Sequence, residues 1–238
     1  MQLTEVFDQL VYGELSNTVI GKKGIDEGNM GAMLTHINLG LYELYKRFNL
    51  KKNSVIIKQN EAIATYELHT RFAQSNALST ESVKYIMDAG GGTPFTNNVL
   101  KIETVEKLVV KDNEEPQYPI NRNGVDGSIT LNTLRSFTMP TPVADTLMKV
   151  VYRANHPRLK ANIDEPSLQE IELPVTHLEA LLLFVASRYH SSLPTLDGIN
   201  EGTAYIARFE RSCLKLSDLG LTNVEEEANQ KLWVNGWV

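Results

Sequence analysis

The hydrophobic period of this chain changes along its length. Toward both ends apolar residues recur at three and four positions, and through the middle they alternate with polar ones. A period near 3.6 builds one face of a helix and a period of two builds one face of a strand, so neither pattern is satisfied by the other structure. The clearest helical stretch is 172–193, ELPVTHLEALLLFVASRYHSSL. Pro174 suits the first turn of a helix, where its missing N–H costs little. Leu178, Leu181, Leu182, Val185 and Tyr189 then share an apolar face. The segment has a start signal and a stripe to bury but no reactive group, which points toward scaffolding and assembly.

Other helices follow the same logic. Leu3, Val6, Phe7, Leu10 and Val11 line one face of a first helix, with Thr4 as an early cap and an end by Gly21 or Gly24. Met30, Leu34, Ile37, Leu41, Leu44 and Phe48 form a longer seam with period near 3.5, capped by Asp26. Gly28, Gly31 and Gly40 each weaken that helix by about 1 kcal/mol relative to alanine. Packing must compensate, and a close helix neighbour over Gly40 is one way. After Pro194 and Gly198 a last helix places Ile199, Ile206, Phe209, Cys213 and Leu216 on one side. Glu201, Arg208, Glu210, Arg211 and Lys215 fall largely on others, and Gly220 terminates it.

From residue 53 the period is two, with Val55, Ile57, Tyr66 and Leu68 as apolar positions. Further strands are predicted at 83–87, 100–110, 128–131, 147–154 and 168–173, separated by turn-rich clusters at 89–94, 112–116, 121–127 and 139–142. Short strands at this spacing suggest an antiparallel sheet or small sandwich. The expected fold is α+β: a helical bundle formed by N- and C-terminal helices, an inserted antiparallel β-rich domain and an extended C-terminal arm. Its predicted segments are 1–50, 51–173, 174–220 and 221–238.

The chain has 238 residues and a formal charge of −6, enough for a sizeable core and contrary to a protein that grips phosphate backbone. One cysteine, Cys213, excludes an intramolecular disulfide and a cysteine-rich zinc site. The first residues lack the pattern of a secretory signal, and no apolar run is long enough to span a membrane, so a soluble protein without membrane association is expected.

Reactive constellations are sparse. His36, His69, His156, His177 and His190 have no metal-ligand spacing, and His177 and His190 read as polar positions or satisfied partners at the two ends of their helix. Cys213 shares an apolar stripe and reads as a small core hydrophobe. Gly90, Gly91 and Gly92 precede Thr93 and Pro94 rather than a phosphate-loop ending, and a turn accounts for them. The run Glu225, Glu226 and Glu227 reads as a solvated stretch. Tyr42, Tyr45, Lys46, Arg47, Phe48, Lys51 and Lys52 could form a nucleic-acid patch, but cations at a helix C-terminus with aromatics in the core explain them better in an acidic protein. No metal or other cofactor is expected. Carboxylate pairs meet only in three dimensions, so a hydrolase acting on cell-wall glycan through dispersed acids stands as the alternative. Trp233 and Trp237 near the end of the chain ask for burial, either on their own domain or on another subunit.

Several stretches together resemble the head-to-tail adaptor proteins of short-tailed bacteriophages, also called head completion or connector proteins. They are LVYGELSN at 10–17, LTHINLGLYELYKRFNL at 34–50, VVYRANHP at 150–157, the segment 172–193 and the closing NQKLWVNGWV. The resemblance implies a non-enzymatic virion protein of the neck, assembled in the host cytoplasm as a homo-oligomeric, twelvefold ring below the portal. Such a ring extends the DNA channel and carries tail nozzle or fibre proteins. It also implies that the C-terminal arm reaches the portal protein, with Leu232, Trp233, Val234, Trp237 and Val238 as its contact residues and the tryptophans as anchors. DNA would pass without specific binding, which suits an acidic chain. A ring of identical subunits needs two different complementary faces; the long seam of the second helix and the outward side of the last helix are the candidates. The turn-rich β insertion would face the tail.

Overall fold

The computed structural model describes residues 1–89, 93–108, 117–160 and 169–220. The described residues form a mixed α+β structure with five α-helices and two small antiparallel sheets. Two compact units divide the chain. One comprises Met1–Leu50 with the described residues from His156 onward, and the other is Lys51–Asn155.

In the helical unit, α1 (Leu3–Gln9) opens without a side-chain cap, and Thr4 lies inside it. Pairing replaces the expected cap, because the Leu3 N–H donates to Gln169 O at 3.0 Å and the Ile171 N–H to Met1 O at 2.8 Å. After a wider turn at Leu10–Glu14, α2 (Val19–Lys23) is capped by Thr18 and stopped by Gly24 at φ 80°. Helix α3 (Glu27–Arg47) starts at Asp26 as expected, within a reciprocal capping box: Asp26 accepts from Gly28 and Asn29 N–H groups, and Asn29 accepts from the Asp26 N–H.

Helix α4 (Leu178–Ser191) lies between α3 and α5 (Leu196–Asp218) and is buried on most of its circumference: Ala180, Leu181, Leu182, Leu183, Val185, Ala186, Ser187 and His190 are all inside. A helix apolar all round belongs in such a central place. Gly40 of α3 is where α4 comes closest, since a Cβ there would stand 2.7 Å from Leu181 Cδ1. The close neighbour expected from the glycine is therefore present. On α5, Phe209, Cys213 and Leu216 are buried, but Ile199 is exposed. Gly198 and Gly202 turn toward α4 instead, and that close approach rotates Ile199 outward.

The second unit holds β1 (Lys52–Lys58), β2 (Thr65–Glu67), β3 (Val99–Lys107), β4 (Thr130–Thr133), β5 (Ser136–Thr138) and β6 (Leu147–Ala154). The sheets have strand orders β1-β6-β3 and β2-β5-β4. Register follows the buried alternation, with Val55 opposite Val150 and Ile57 opposite Met148. Apolar faces of both sheets meet around Tyr66 and Phe137, whose rings stack at 5.6 Å, with Tyr85 edge-on to Tyr66 at 5.1 Å. The Tyr85 hydroxyl accepts from the Glu67 N–H at 2.8 Å and donates to Glu67 O at 2.9 Å.

Strand β6 has its expected limits. The expected strand at 100–110 is β3, with 109 and 110 outside the described residues, and that at 128–131 is shifted into β4. Residues 83–87 form no named strand: the Lys58 N–H reaches Tyr85 O and the Met87 N–H reaches Ile56 O, but the ladder goes no further. At 168–173, residue 168 lies outside the described residues, and the rest makes only the single bridge of Glu170 to Gln2. Residues 169–173 accordingly belong with the helices, and the strand unit closes at Asn155. Asp88 anchors an otherwise irregular stretch, its carboxylate accepting from Ser75 N–H and Oγ and from the Phe95 N–H at 2.5–2.9 Å. Burial alone would raise its pKa, but those hydrogen bonds outweigh it and hold the group below the ordinary carboxylate range.

Candidate functional site

The wider turn at Leu10–Glu14 is a π-helical turn, with Gly13 at ψ −105° as its irregular point. Such turns recur at functional sites because they re-aim side chains. Here the turn brings Glu14 to α5: its carbonyl accepts from the Tyr205 hydroxyl at 3.0 Å, and its carboxylate lies 3.6 Å from Arg208. A cleft of about 270 Å³ opens there, lined by Glu14, Asn17, Thr18, His190, Glu201, Ala204, Tyr205 and Arg208.

His190 forms the inner wall. Its ring stacks on Tyr205 with centroids 5.2 Å apart, and the Arg208 guanidinium covers Tyr205 at 5.1 Å. The Glu201 carboxylate stands 2.7 Å from His190 Nδ1 but out of line for a hydrogen bond, and neither ring nitrogen has a hydrogen-bond partner among the described residues. An imidazole beside a carboxylate can serve as a base when its other nitrogen reaches a nucleophile. Both His190 nitrogens are shielded, however, and the neighbouring Thr18 hydroxyl is engaged as a cap and as a donor to Leu15 O at 2.7 Å. The cluster therefore works as a polar clamp joining the π-turn, α4 and α5.

The other sequence-derived candidates have clear places. Cys213 is buried, and burial pushes its thiol up to about 11, so it is a core residue. In the basic-aromatic cluster, Tyr45 and Phe48 are buried while Tyr42 is half exposed. Arg47 makes a bidentate pair with Glu210 at 2.5 and 2.8 Å and also binds Glu43 at 2.8 Å. Those cations are engaged in the fold. His177 and His190 are core residues rather than polar positions: His177 is packed edge-on to Phe48 at 4.8 Å. Among the described residues, no three His, Cys, Asp or Glu side chains converge as metal ligands, and no helix is long and apolar enough to cross a membrane. Gly90, Gly91, Gly92, the run Glu225–Glu227 and the arm residues Leu232, Trp233, Val234, Trp237 and Val238 lie outside the described residues.

What this unit presents outward is apolar as well as charged. Tyr12 is 81% exposed, Leu196 73% and Val19 61%, so large side chains stand free on the π-turn, α2 and the start of α5. The seam of α3 is not among these faces. Leu34, Ile37, Leu41 and Leu44 are buried within the chain's own core, so this candidate for a subunit contact is already occupied by internal packing. The exposed flank of α5 was legible from its charges; the π-turn was not, because its periodicity matches that of an ordinary helix. No protein-family model matches the chain, and no curated protein matches it significantly.

Two histidines, His177 and His36, set an acid response. Burial lowers the pKa of His177 from its ordinary 6.5, and burial followed by the nearby Arg188 charge lowers that of His36. The unfolded chain then binds more protons just below pH 6.5, so stability is full above that value and falls as pH drops until the folded-state values are passed. Melting temperature should be flat above pH 7 and lower at pH 5, with the slope reduced in His177→Leu. The depressed carboxyls of Asp88 and Glu210 respond only below their ordinary values of 3.8 and 4.5, outside this window. A flat profile from pH 7.5 to 5 would refute the assignment.

Proposed function

We propose that this chain is a head-to-tail adaptor of a short-tailed bacteriophage, forming a homo-oligomeric, twelvefold ring between portal and tail. The observation that carries the reading is the chain's path: helices from its beginning and end join in one unit, and residues 51–155 are set into them as a separate strand-built unit. That is the organisation the sequence resemblance implies, with α1–α5 as the bundle and the strands as the insertion.

On this reading the exposed Tyr12, Val19 and Leu196 contribute to subunit contacts. The outward side of α5 supplies another face, and two unlike faces are what a heterologous ring requires. The loop 121–127, with Gly124 and Gly127 at positive φ, belongs to the surface offered to tail nozzle or fibre proteins. Residues 221–238 form the arm, with Trp233 and Trp237 entering clefts of the portal protein. DNA passes through the channel without being held, and the role calls for no catalysis or cofactor.

The test is the mass of the full chain alone and mixed with the portal of the same genome. A large ring, or a ring that forms only with portal, is expected. A monomer indifferent to portal overturns the proposal. Removing 229–238 should abolish co-sedimentation with portal while the circular dichroism of the rest is kept; undiminished co-sedimentation would remove the arm from the account.

A further inference from the structure

One flank of α5 carries Arg208, Arg211 and Lys215, spaced three and four residues apart and therefore on one face. All three line a groove of about 180 Å³ between α4 and α5, together with Glu179, Leu183 and Ser212. Arg208 is 3.6 Å from Glu14 and its side chain is half exposed; Arg211 and Lys215 have no ion-pair partner among the described residues. Lys215 suits the last helical turn, where a cation meets the negative end of the helix. Arg208 and Arg211 lie too far from that end for the same reason to apply. Three cations held along one groove form a surface for an anionic partner.

The sequence supplies a matching group close by. Gly220 closes α5 at φ 64°, with its N–H bonded to Ser217 O, a cap that turns the chain aside from the helix axis. Glu225, Glu226 and Glu227 follow within seven residues. Residues 221–225 can span roughly 17 Å, whereas Lys215 and Arg211 lie only about 8 and 14 Å back along the helix from Gly220.

We propose that the run Glu225, Glu226 and Glu227 docks on Arg208, Arg211 and Lys215 of the same chain. The docking stands on charge and reach.

Carbodiimide cross-linking of the full chain at low salt tests it, because this reagent joins amines only to carboxylates already in contact. Lys215 should be linked to Glu225, Glu226 or Glu227, and the yield should fall roughly ten-fold in 1 M NaCl, where exposed charges are screened. The E225Q/E226Q/E227Q chain should lose the link, and a mixture of isotopically heavy and light chains should give only same-isotope links. Absence of the link while Lys46 joins Glu43, its partner at 3.3 Å, overturns the proposal. Mixed-isotope links overturn it too, by making a second copy the occupant. Portal binding by a chain that lacks the link removes the docking alone, and a linked chain that ignores portal removes the adaptor reading alone.

Discussion

Phe209→Ala should cost the helical unit about 3–5 kcal/mol, the range for deleting a fully buried aromatic ring. Phe209 has no exposed surface and meets Phe184 edge-on at 5.2 Å. The Arg47 guanidinium lies 4.9 Å above its ring and is fixed there by Glu43 and Glu210. Truncation would leave a void that the α4–α5 contact cannot close without moving a helix. It would also strip the ring from beneath a cation that keeps its carboxylates, so the ion pairs survive while their platform is lost. The check is denaturant unfolding followed by far-ultraviolet circular dichroism, since tryptophan fluorescence reports only on residues 233 and 237. Leu214→Ala, on the exposed side of the same helix, should stay within about 0.5 kcal/mol. A loss below 1 kcal/mol at Phe209 would mean that α5 is not held by this face. With two units in the chain, a variant that lowers only the helical signal would separate their transitions.

Local signals in the sequence located the elements wherever the decisive physics was itself local. Asp26 caps α3 because its carboxylate meets N–H groups two and three residues on, and that geometry is written in DxxN. Strand β6 was legible because its alternation is carried by Met148, Val150, Tyr152 and Ala154, all buried on one face. Gly40 announced a near neighbour because nothing in an isolated helix favours glycine. Where the outcome depends on a partner distant in sequence, the pattern was insufficient. Tyr85 and Ile86 are as buried as any strand residue, yet the backbone around them pairs only briefly with β1. Ser136–Thr138 is too short to show a period, and its place between β2 and β4 is decided by Phe137 stacking on Tyr66. The α3 seam could have served a neighbouring subunit, and only the position of α4 shows that it is spent internally. For the candidate site, the charges of α5 were visible in sequence order, whereas the His190–Tyr205–Arg208 stack and the return of Glu14 to it exist only after α1 and α5 have packed.

Two glycine-to-alanine changes should have opposite signs. In a free helix each would stabilise by up to about 1 kcal/mol, because alanine loses less backbone freedom on folding. At Gly31 the new methyl meets nothing within 4 Å among the described residues, so Gly31→Ala should realise most of that gain. At Gly202 it would stand 2.2 Å from Ser191 Oγ, 2.9 Å from Ser191 N and 3.1 Å from Ser187 O. The hydroxyl can rotate away, but the backbone atoms of α4 cannot move without shifting a helix that is buried on both sides. Overpacking of this kind costs about 1–3 kcal/mol, enough to reverse the propensity gain. Gly40→Ala is the informative intermediate, since its nearest obstacle, Leu181 Cδ1 at 2.7 Å, is the mobile end of a side chain. Melting temperatures should therefore rank Gly31→Ala above the parent chain, Gly40→Ala below it and Gly202→Ala lowest. A Gly202→Ala protein as stable as Gly31→Ala would mean that α4 and α5 stand further apart, and the groove between them that carries Arg208, Arg211 and Lys215 would have to be redrawn.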